Sequence, residues 1–478
     1  MDPIPFFVVD RPMSLKILQF CEVDKQAGTY GLMAHALTTK NFQKQFREFP
    51  GDNIVKAADS GVFSKNGCHL SYQELYDTYE RMNVSYGIMI DYLKDWKKTV
   101  ESAKEAQKIY AEKTFSFDLV GVAQGKTEDE YVKCYDELKS IGFDHIAIGG
   151  LLKKKVNTAR YVHVRNKQFL ENVVKMIREE YPSDWLFLLG CYSPNRHQLF
   201  KKYDVFGGDY KGWIFNYKTP EEMNNNVHSQ LAEEEKHFSD QTLKKLNKKR
   251  EGLIENLQKN RQDTEKRKKI QEKISSLDKR ILKKRLQTMR WHDKSYRDNV
   301  RLLNNIKHMS REEKRLYRFK QIRSYLEKHI YSLFRNRLLL ISCSKKKNEL
   351  EMPSFALDVY DGPYYKTLKK LRRENKFPKD MHTLVLSAKY GLLDLYDMIQ
   401  TYDQVMTKKK AEELASLVGE HLNLFLKNHE MDEICLSMGR LYSKTITNLD
   451  TDCVKNIKNP NGRIGEKLKE TKLWIEKK

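Results

Sequence analysis

Cysteine pairs at metal-binding or redox spacing are missing from this 478-residue chain. Its seven cysteines (21, 68, 134, 191, 343, 435, 453) are scattered, and no two stand at C-x-x-C spacing. The lack of that spacing argues against a zinc ribbon or finger and against a redox pair, and an odd count without a framework fits a reducing compartment. Long apolar runs are missing as well: none approaches the roughly 18 residues that a spanning helix needs, and the mean hydropathy is -0.73. The opening MDPIPFFVVDRP has neither a basic leader nor a long apolar core ahead of its prolines and acids, so it does not read as a secretory signal. Proline and glycine nearly vanish from the middle of the chain. No proline lies between Pro220 and Pro353, and Gly252 is the only glycine from 221 to 361. These absences predict a soluble, cytoplasmic protein with no membrane contact, no bound metal and a long helical middle.

What is present is material for a sizeable core and an uneven charge. The chain is 40% hydrophobic and 11% aromatic, which excludes wholesale disorder. Its length suits roughly two to four domains. The net charge is +23, from 88 basic and 65 acidic residues. It is concentrated: Gln241 to Arg335 holds 30 Lys and Arg against 11 Asp and Glu. Charge so focused suits a polyanion, because each neutralised phosphate releases counterions. The plainer alternative is a solvated basic helical face with no partner. Lys268, Lys269, Lys283, Lys284 and Arg285 are the predicted nucleic-acid contacts.

Composition divides the chain into three blocks: 1–217, 218–336 and 337–478. In the first, short apolar runs (SLKILQF, IVKAAD, YGIMID, FDLVGVAQ, HIAIGG, WLFLLG) alternate with amphipathic stretches such as EDEYVKCYDELKSIG and QFLENVVKMIREEY. Strand then helix, repeated, predicts an α/β architecture with parallel strands, here a TIM-like (β/α)8 barrel. The runs end in Asp, Gln or Gly, at the strand ends where such barrels carry their chemistry. In the second block, apolar residues recur at three- and four-residue steps (Ile270, Ile274, Leu277, Ile281; Leu316, Phe319, Ile322, Leu326, Ile330). That period predicts a basic helical hairpin or short coiled coil. Its aromatics Trp291, Tyr296, Tyr317, Phe319 and Tyr325 either stack on bases or, more ordinarily, pack helices. The third block resumes the α/β alternation with RLLLISCS, HTLVLSAKYGLL and DEICLSMG. A C-terminal α/β module follows from it, with Ser342, Ser344, Lys345, Ser387, Lys389 and Tyr390 at strand ends as a phosphate or nucleotide cradle. A lysine-rich terminal helix closes the chain.

Five polar signatures stand at the strand ends of the first block: Asp59-Ser60-Gly61-Val62-Phe63, Asp91, Gly121-Val122-Ala123-Gln124-Gly125, Ala147-Ile148-Gly149-Gly150-Leu151 and Phe206-Gly207-Gly208-Asp209. In this order, over residues 20–217, they resemble the tRNA-guanine transglycosylase superfamily. The resemblance implies a double displacement at C1′ with Asp209 as nucleophile and Asp59 as general acid/base. Asp91 and Gln124 would bond the purine, and the Gly149-Gly150 backbone would close on it. The neighbouring Asp204 is a rival nucleophile. The sequence departs from the tRNA enzymes in two ways. No cysteine lies between Cys191 and Cys343, so their zinc site is absent, and Asp209-Tyr210-Lys211-Gly212-Trp213 replaces their D-x-x-x-P-T-R run. It is more similar to the zinc-less, DNA-acting (DpdA-like) branch, which places 7-deazaguanine derivatives in DNA in bacterial cells or phage-infected hosts. The expectation is exchange of DNA guanine for a 7-cyano-7-deazaguanine-type base with no cofactor. tRNA remains an alternative polymer, a catalytically silent nucleic-acid-binding scaffold an alternative role, and a homodimer is left open.

Overall fold

The computed structural model describes residues 2–62, 68–154, 161–164, 167–289, 292–446, 449–451 and 454–477. Phe63 of the first signature and Trp291 lie outside these described residues.

Eight parallel strands close into a barrel: β1 (Ile4–Val8), β2 (Tyr30–His35), β3 (Ile54–Asp59), β4 (Tyr86–Ile88), β5 (Asp118–Ala123), β6 (His145–Ile148), β7 (Trp185–Leu188) and β8 (Gly207–Tyr210). Closure is made by β1, which pairs with β2 (Phe6 opposite Gly31) and with β8 (Phe6 opposite Asp209). The inner layer is apolar and aromatic. Phe6 meets Phe187 edge-on at 5.1 Å, and Met33, Ala57, Tyr86, Val120 and Trp185 complete a lining that leaves a void of only about 10 Å³. A plugged interior confines chemistry to the rim. Gly31 is dictated by this packing, since a Cβ there would fall 2.1 Å from Cγ of Phe6.

Seven helices follow the first seven strands: α1 (Pro12–Phe20), α2 (Lys40–Arg47), α3 (Tyr72–Met82), α4 (Trp96–Tyr110), α5 (Glu128–Ile141), α6 (Lys167–Glu180) and α7 (His197–Lys202). A two-stranded hairpin, Leu152–Lys154 with Tyr161–Val164, precedes α6. Local signals set the helix starts. Ser71 and Glu74 form a reciprocal cap on α3, and the Thr127 hydroxyl accepts the Glu130 N–H on α5. SLKILQF, expected as a strand, is α1. Pro12 sits in its first turn, where a missing N–H costs nothing. Leu15, Ile17 and Leu18 line its buried face. The strand before it is IPFFV, and YGLMAH supplies β2; neither run was expected as a strand.

After β8 the chain leaves the barrel for α8 (Pro220–Glu235), α9 (Gln241–Lys259), α10 (Thr264–Thr288) and α11 (Lys294–His308), then returns as α12 (Arg311–His329). The last helix belongs to the barrel. Ile322, Leu326 and Ile330 join the barrel core, Phe319 packs edge-on against Phe20 at 5.6 Å, and the Tyr325 hydroxyl meets that of Tyr210 at 2.6 Å. The barrel is therefore discontinuous, its eighth helix arriving after an insertion. The boundary read at 217/218 marks where the insertion starts, and the helical block runs back into the barrel before 336.

The insertion has its own interior. α9 and α10 pair through Leu243, Leu277 and Ile281, while α8 and α11 pack through Val227, Leu231, Tyr296, Val300 and Leu303. Buried charge ties the two pairs together. Nε of Arg285 meets Oε1 of Glu235 at 2.6 Å, both side chains being essentially inaccessible, and Asn247, His228 and Tyr296 complete the network. Burial and two neighbouring guanidiniums push His228 down to about 2, so it is neutral.

Residues from 337 form a second sheet in the order β11-β10-β9-β12-β13, from β9 (Arg337–Ser342), β10 (Met381–Ser387), β11 (Gly391–Asp394), β12 (Glu433–Ser437) and β13 (Asn456–Lys458). All pairings are parallel except β10 with β11. Helices Pro363–Arg373, Lys408–Asn428 and the terminal Ile464–Glu476 accompany it. α12 joins this unit to the barrel, because Arg323 donates to both Glu22 and the Tyr396 hydroxyl.

Candidate active site

Parallel strands in a closed barrel deliver their C-terminal ends to one rim. Asp59 is the last residue of β3, Gln124 follows β5, Gly149 and Gly150 follow β6, Asp91 stands just beyond β4, and Asp209 lies within β8. All six residues expected at the site therefore share one end of the barrel. Asp204 lies before β8, at the opposite end of that strand.

The three carboxyls interact. Burial pushes Asp59 up to about 6, against N–H bonds from Gly61 and Ser60 that favour its charged form. Burial raises Asp91 to about 7, the negative charge of Asp59 adds to this, and the Gln124 amide opposes it. Burial also raises Asp209 to about 7, opposed by the Gly190 N–H that its Oδ1 accepts and reinforced by Asp59. Asp59 is thus the shared neighbour of the other two, and the apparent values belong to the set rather than to single groups. Asp59 and Asp209 keep part of their surface open to solvent, whereas Asp91 is buried. Among the described residues no cation forms an ion pair with any of the three. The nearest lysine in sequence, Lys211, is drawn away to Asp10, with Nζ 2.7 Å from its Oδ2.

Gln124 is wholly buried and held at both ends of its amide. Its Nε2 donates to Oδ2 of Asp91 at 2.5 Å, and its Oε1 accepts the Lys94 N–H at 3.2 Å. The glycine pair closes onto that amide. A Cβ on Gly149 would lie 2.6 Å from Nε2 of Gln124, and one on Gly150, whose φ is +70°, would lie 2.3 Å from its Oε1. The Tyr131 hydroxyl donates to the Gly149 carbonyl at 2.9 Å and holds the turn in place. In this fold the close approach permitted by glycine is to Gln124, which in turn orients Asp91.

The sequence reading missed Asp10, His35 and Lys211. His35 ends β2 in register with Asp59; its Nδ1 and the neighbouring Ser60 hydroxyl are buried without a hydrogen-bond partner. Burial lowers the His35 pKa and Asp10 partly restores it. The signal that would have found Asp10 and His35 was their place at strand ends, hidden because β1 and β2 were not recognised. Trp213 is structural: its indole is fully buried and donates to the Val8 carbonyl at 3.1 Å.

The predicted nucleic-acid contacts divide. Lys268, Lys269 and Lys283 of α10 are exposed, Lys269 pairing with Glu265 at 2.9 Å. Lys284 is partly covered and 3.3 Å from Asp240. Arg285 is corrected: its side chain is fully buried against Glu235 and has no access to a partner. Tyr296 is core, while Tyr317 is partly exposed. In the C-terminal sheet two residues of the expected cradle, Ser387 and Lys389, face Tyr402, while Lys345 is exposed. The Ser387 hydroxyl bonds Tyr402 at 2.8 Å, and Lys347 and Lys389 lie over the Tyr402 ring. Among the described residues no group of His, Cys, Asp and Glu is arranged to hold a metal ion, and no helix is long and apolar enough to cross a membrane.

Residues 338–472 match a family of unknown function (DUF6884). No curated protein matches the chain. Among solved structures the chain is similar to a native KDPGal structure (12% identity, TM-score 0.30, 46% of this chain and 85% of that one). It is similar also to the YdjI aldolase from Escherichia coli K12 (12%, 0.30, 50% and 83%). A third is 2,3-dimethylmalate lyase, a PEP mutase/isocitrate lyase superfamily member (12%, 0.31, 44% and 75%). The barrel assignment rests on the strand order itself.

Proposed function

We propose that the barrel rim exchanges a purine base on a nucleic acid, replacing guanine in DNA with a 7-deazaguanine derivative. One observation carries this reading: three carboxyls converge at the rim, the charge of Asp59 acting on both Asp91 and Asp209, and among the described residues no cation is paired to them. Breaking the bond between C1′ and N9 develops positive charge on the sugar, and buried carboxylates stabilise that charge where it forms. Repulsion among the carboxyls in the empty rim is relieved when the cationic transition state arrives, so the favourable interaction grows along the reaction.

The steps balance as follows. The Asp209 carboxylate attacks C1′ as the bond to N9 breaks, giving an Asp209–C1′ ester, while the proton of Asp59 passes to the departing guanine. The incoming base gives its N9 proton to the Asp59 carboxylate and attacks C1′, and Asp209 leaves as carboxylate. Asp59 and Asp209 titrate as one set near neutrality, so a single proton held between them leaves one carboxylate to attack and one carboxyl to donate. Asp91, held by Gln124, would read the base edge. A base in duplex DNA must first leave the stack, at a cost of a few kcal/mol, which exposed lysines of α10 would offset through backbone contacts.

The test is incubation of the full chain with labelled guanine or 7-cyano-7-deazaguanine and, in parallel, single-stranded DNA, duplex DNA and tRNA. Label entering DNA supports the proposal, label entering tRNA alone transfers the chemistry to the other polymer, and label entering none removes it.

A further inference from the structure

Each barrel helix starts at the catalytic end and runs back along the wall, so its first turn lies beside the rim. Between the first turn of α1, the segment joining β8 to α8, and the start of α12 lies a groove of about 750 Å³. Its floor is apolar and aromatic, from Met13, Tyr217, Tyr317 and Phe319. Its edges are basic: Lys218, Arg311, Lys314, Arg315 and Arg318 stand against two carboxylates, Glu221 and Glu312. Lys218, Arg311 and Lys314 are exposed and, among the described residues, form no ion pair, while Arg315 is 3.8 Å from Glu312 on an open surface.

The groove is preformed. The Arg318 guanidinium lies 4.3 Å from the centre of the Tyr217 ring. Gln321 clamps the backbone of Lys218, accepting its N–H at 2.8 Å and donating to its carbonyl at 3.1 Å. The segment that brings Tyr217 and Lys218 to the groove leaves the rim at Asp209, so one short stretch of chain joins the groove to the proposed nucleophile.

An aromatic floor with a cationic border fits a single nucleic-acid strand, whose bases or sugars rest on rings while its phosphates meet Lys and Arg. We propose that this groove seats the unpaired DNA strand flanking the base presented at the rim, with the strand running from Asp209 along residues 211–218 to the first turns of α12. That route rests on the base-exchange reading; binding of the strand in the groove does not.

The experiment measures fluorescence anisotropy of a labelled single-stranded oligonucleotide of about 12 nucleotides with the full chain, over a salt series and with no free base present. The triple variant Lys218→Ala, Arg311→Ala, Arg315→Ala changes only exposed side chains, and its melting temperature serves as the folding control. The groove predicts at least tenfold weaker binding and a log K against log salt slope shallower by about two, from three lost contacts at roughly 0.7 each. Unchanged affinity and slope overturn it. So does a polyglutamate probe that competes with the oligonucleotide in the wild type and is weakened to the same degree in the variant, because the groove would then be an acidic-peptide site. If exchange activity is absent but binding depends on the groove, the base-exchange reading falls and the groove stands.

Discussion

At the barrel rim Asp59, Asp91 and Asp209 have, among the described residues, no paired cation; burial lifts all three to about 6 to 7, and the charge of Asp59 adds to the rise of the other two. In the insertion, Glu235 is more deeply enclosed than Asp59 or Asp209, but Arg285 lies 2.6 Å away and Asn247 and Tyr296 satisfy what remains. A charge buried beside a like charge destabilises the empty protein and marks a candidate site. A charge buried against its complement is part of the scaffold. The two regions differ in what faces the carboxylate: backbone and amide donors at the rim, a guanidinium in the insertion.

The sharpest way to break this comparison is at Asp209. Asp209→Asn should lower base exchange by at least about a thousandfold, as expected for loss of a covalent nucleophile, without loss of the fold. Exchange assays beside a thermal melt check it, and near-wild-type activity would move the nucleophile elsewhere. Exchange should also fall on the acid side of about 7, where Asp59 and Asp209 both hold protons and no carboxylate is free to attack.

The next effect is on stability. Arg285→Ala leaves Glu235 buried and unpaired, which should cost about 3–5 kcal/mol in the insertion. Replacing the pair together, as Arg285→Met with Glu235→Leu, should recover most of it. Denaturant melts of the single and double variants decide, and an unaffected single variant would mean that the network contributes no stability.

Asp91→Asn should act in the opposite direction. The folded carboxyl titrates near 7 and an unfolded one near 3.9, so the stability present at low pH is lost as pH rises through 7. The variant should therefore be more stable than wild type by about 1–3 kcal/mol at pH 8 and no more stable at pH 4. Destabilisation at pH 8 would show that the carboxylate is compensated. The smallest effect belongs to the exposed lysines. Lys268→Ala, Lys269→Ala and Lys283→Ala together should change stability by less than about 0.5 kcal/mol while reducing the salt dependence of DNA binding. An unchanged salt slope would remove the insertion surface from the binding reading.

Much of this was legible in the residues. Strand ends carrying Asp59, Asp91, Gln124 and Asp209 stood out because apolar runs terminating in a polar residue mark a barrel rim. SLKILQF was misread because its short apolar stretch satisfies both periods, and Pro12 decides for helix. Arg285 was misread from its neighbours Lys283 and Lys284, yet it falls four residues after Ile281 and eight after Leu277, on the buried stripe. Asp10, His35 and Lys211 stayed hidden with the strands that carry the first two.

By itself the order of residues determined the alternation of strands and helices, the charge of the middle segment and the polar strand ends, because periodicity, capping and composition act over a few neighbouring positions. Only the closed barrel decided that three aspartates from distant strands share one rim, where Asp59 raises the pKa of the other two. Only the packed insertion decided that Arg285 is scaffold while nearby lysines face solvent, and that α12, more than a hundred residues after β7, completes the wall. Electrostatic coupling and burial depend on distance in space, and that distance exists only once the chain has closed on itself.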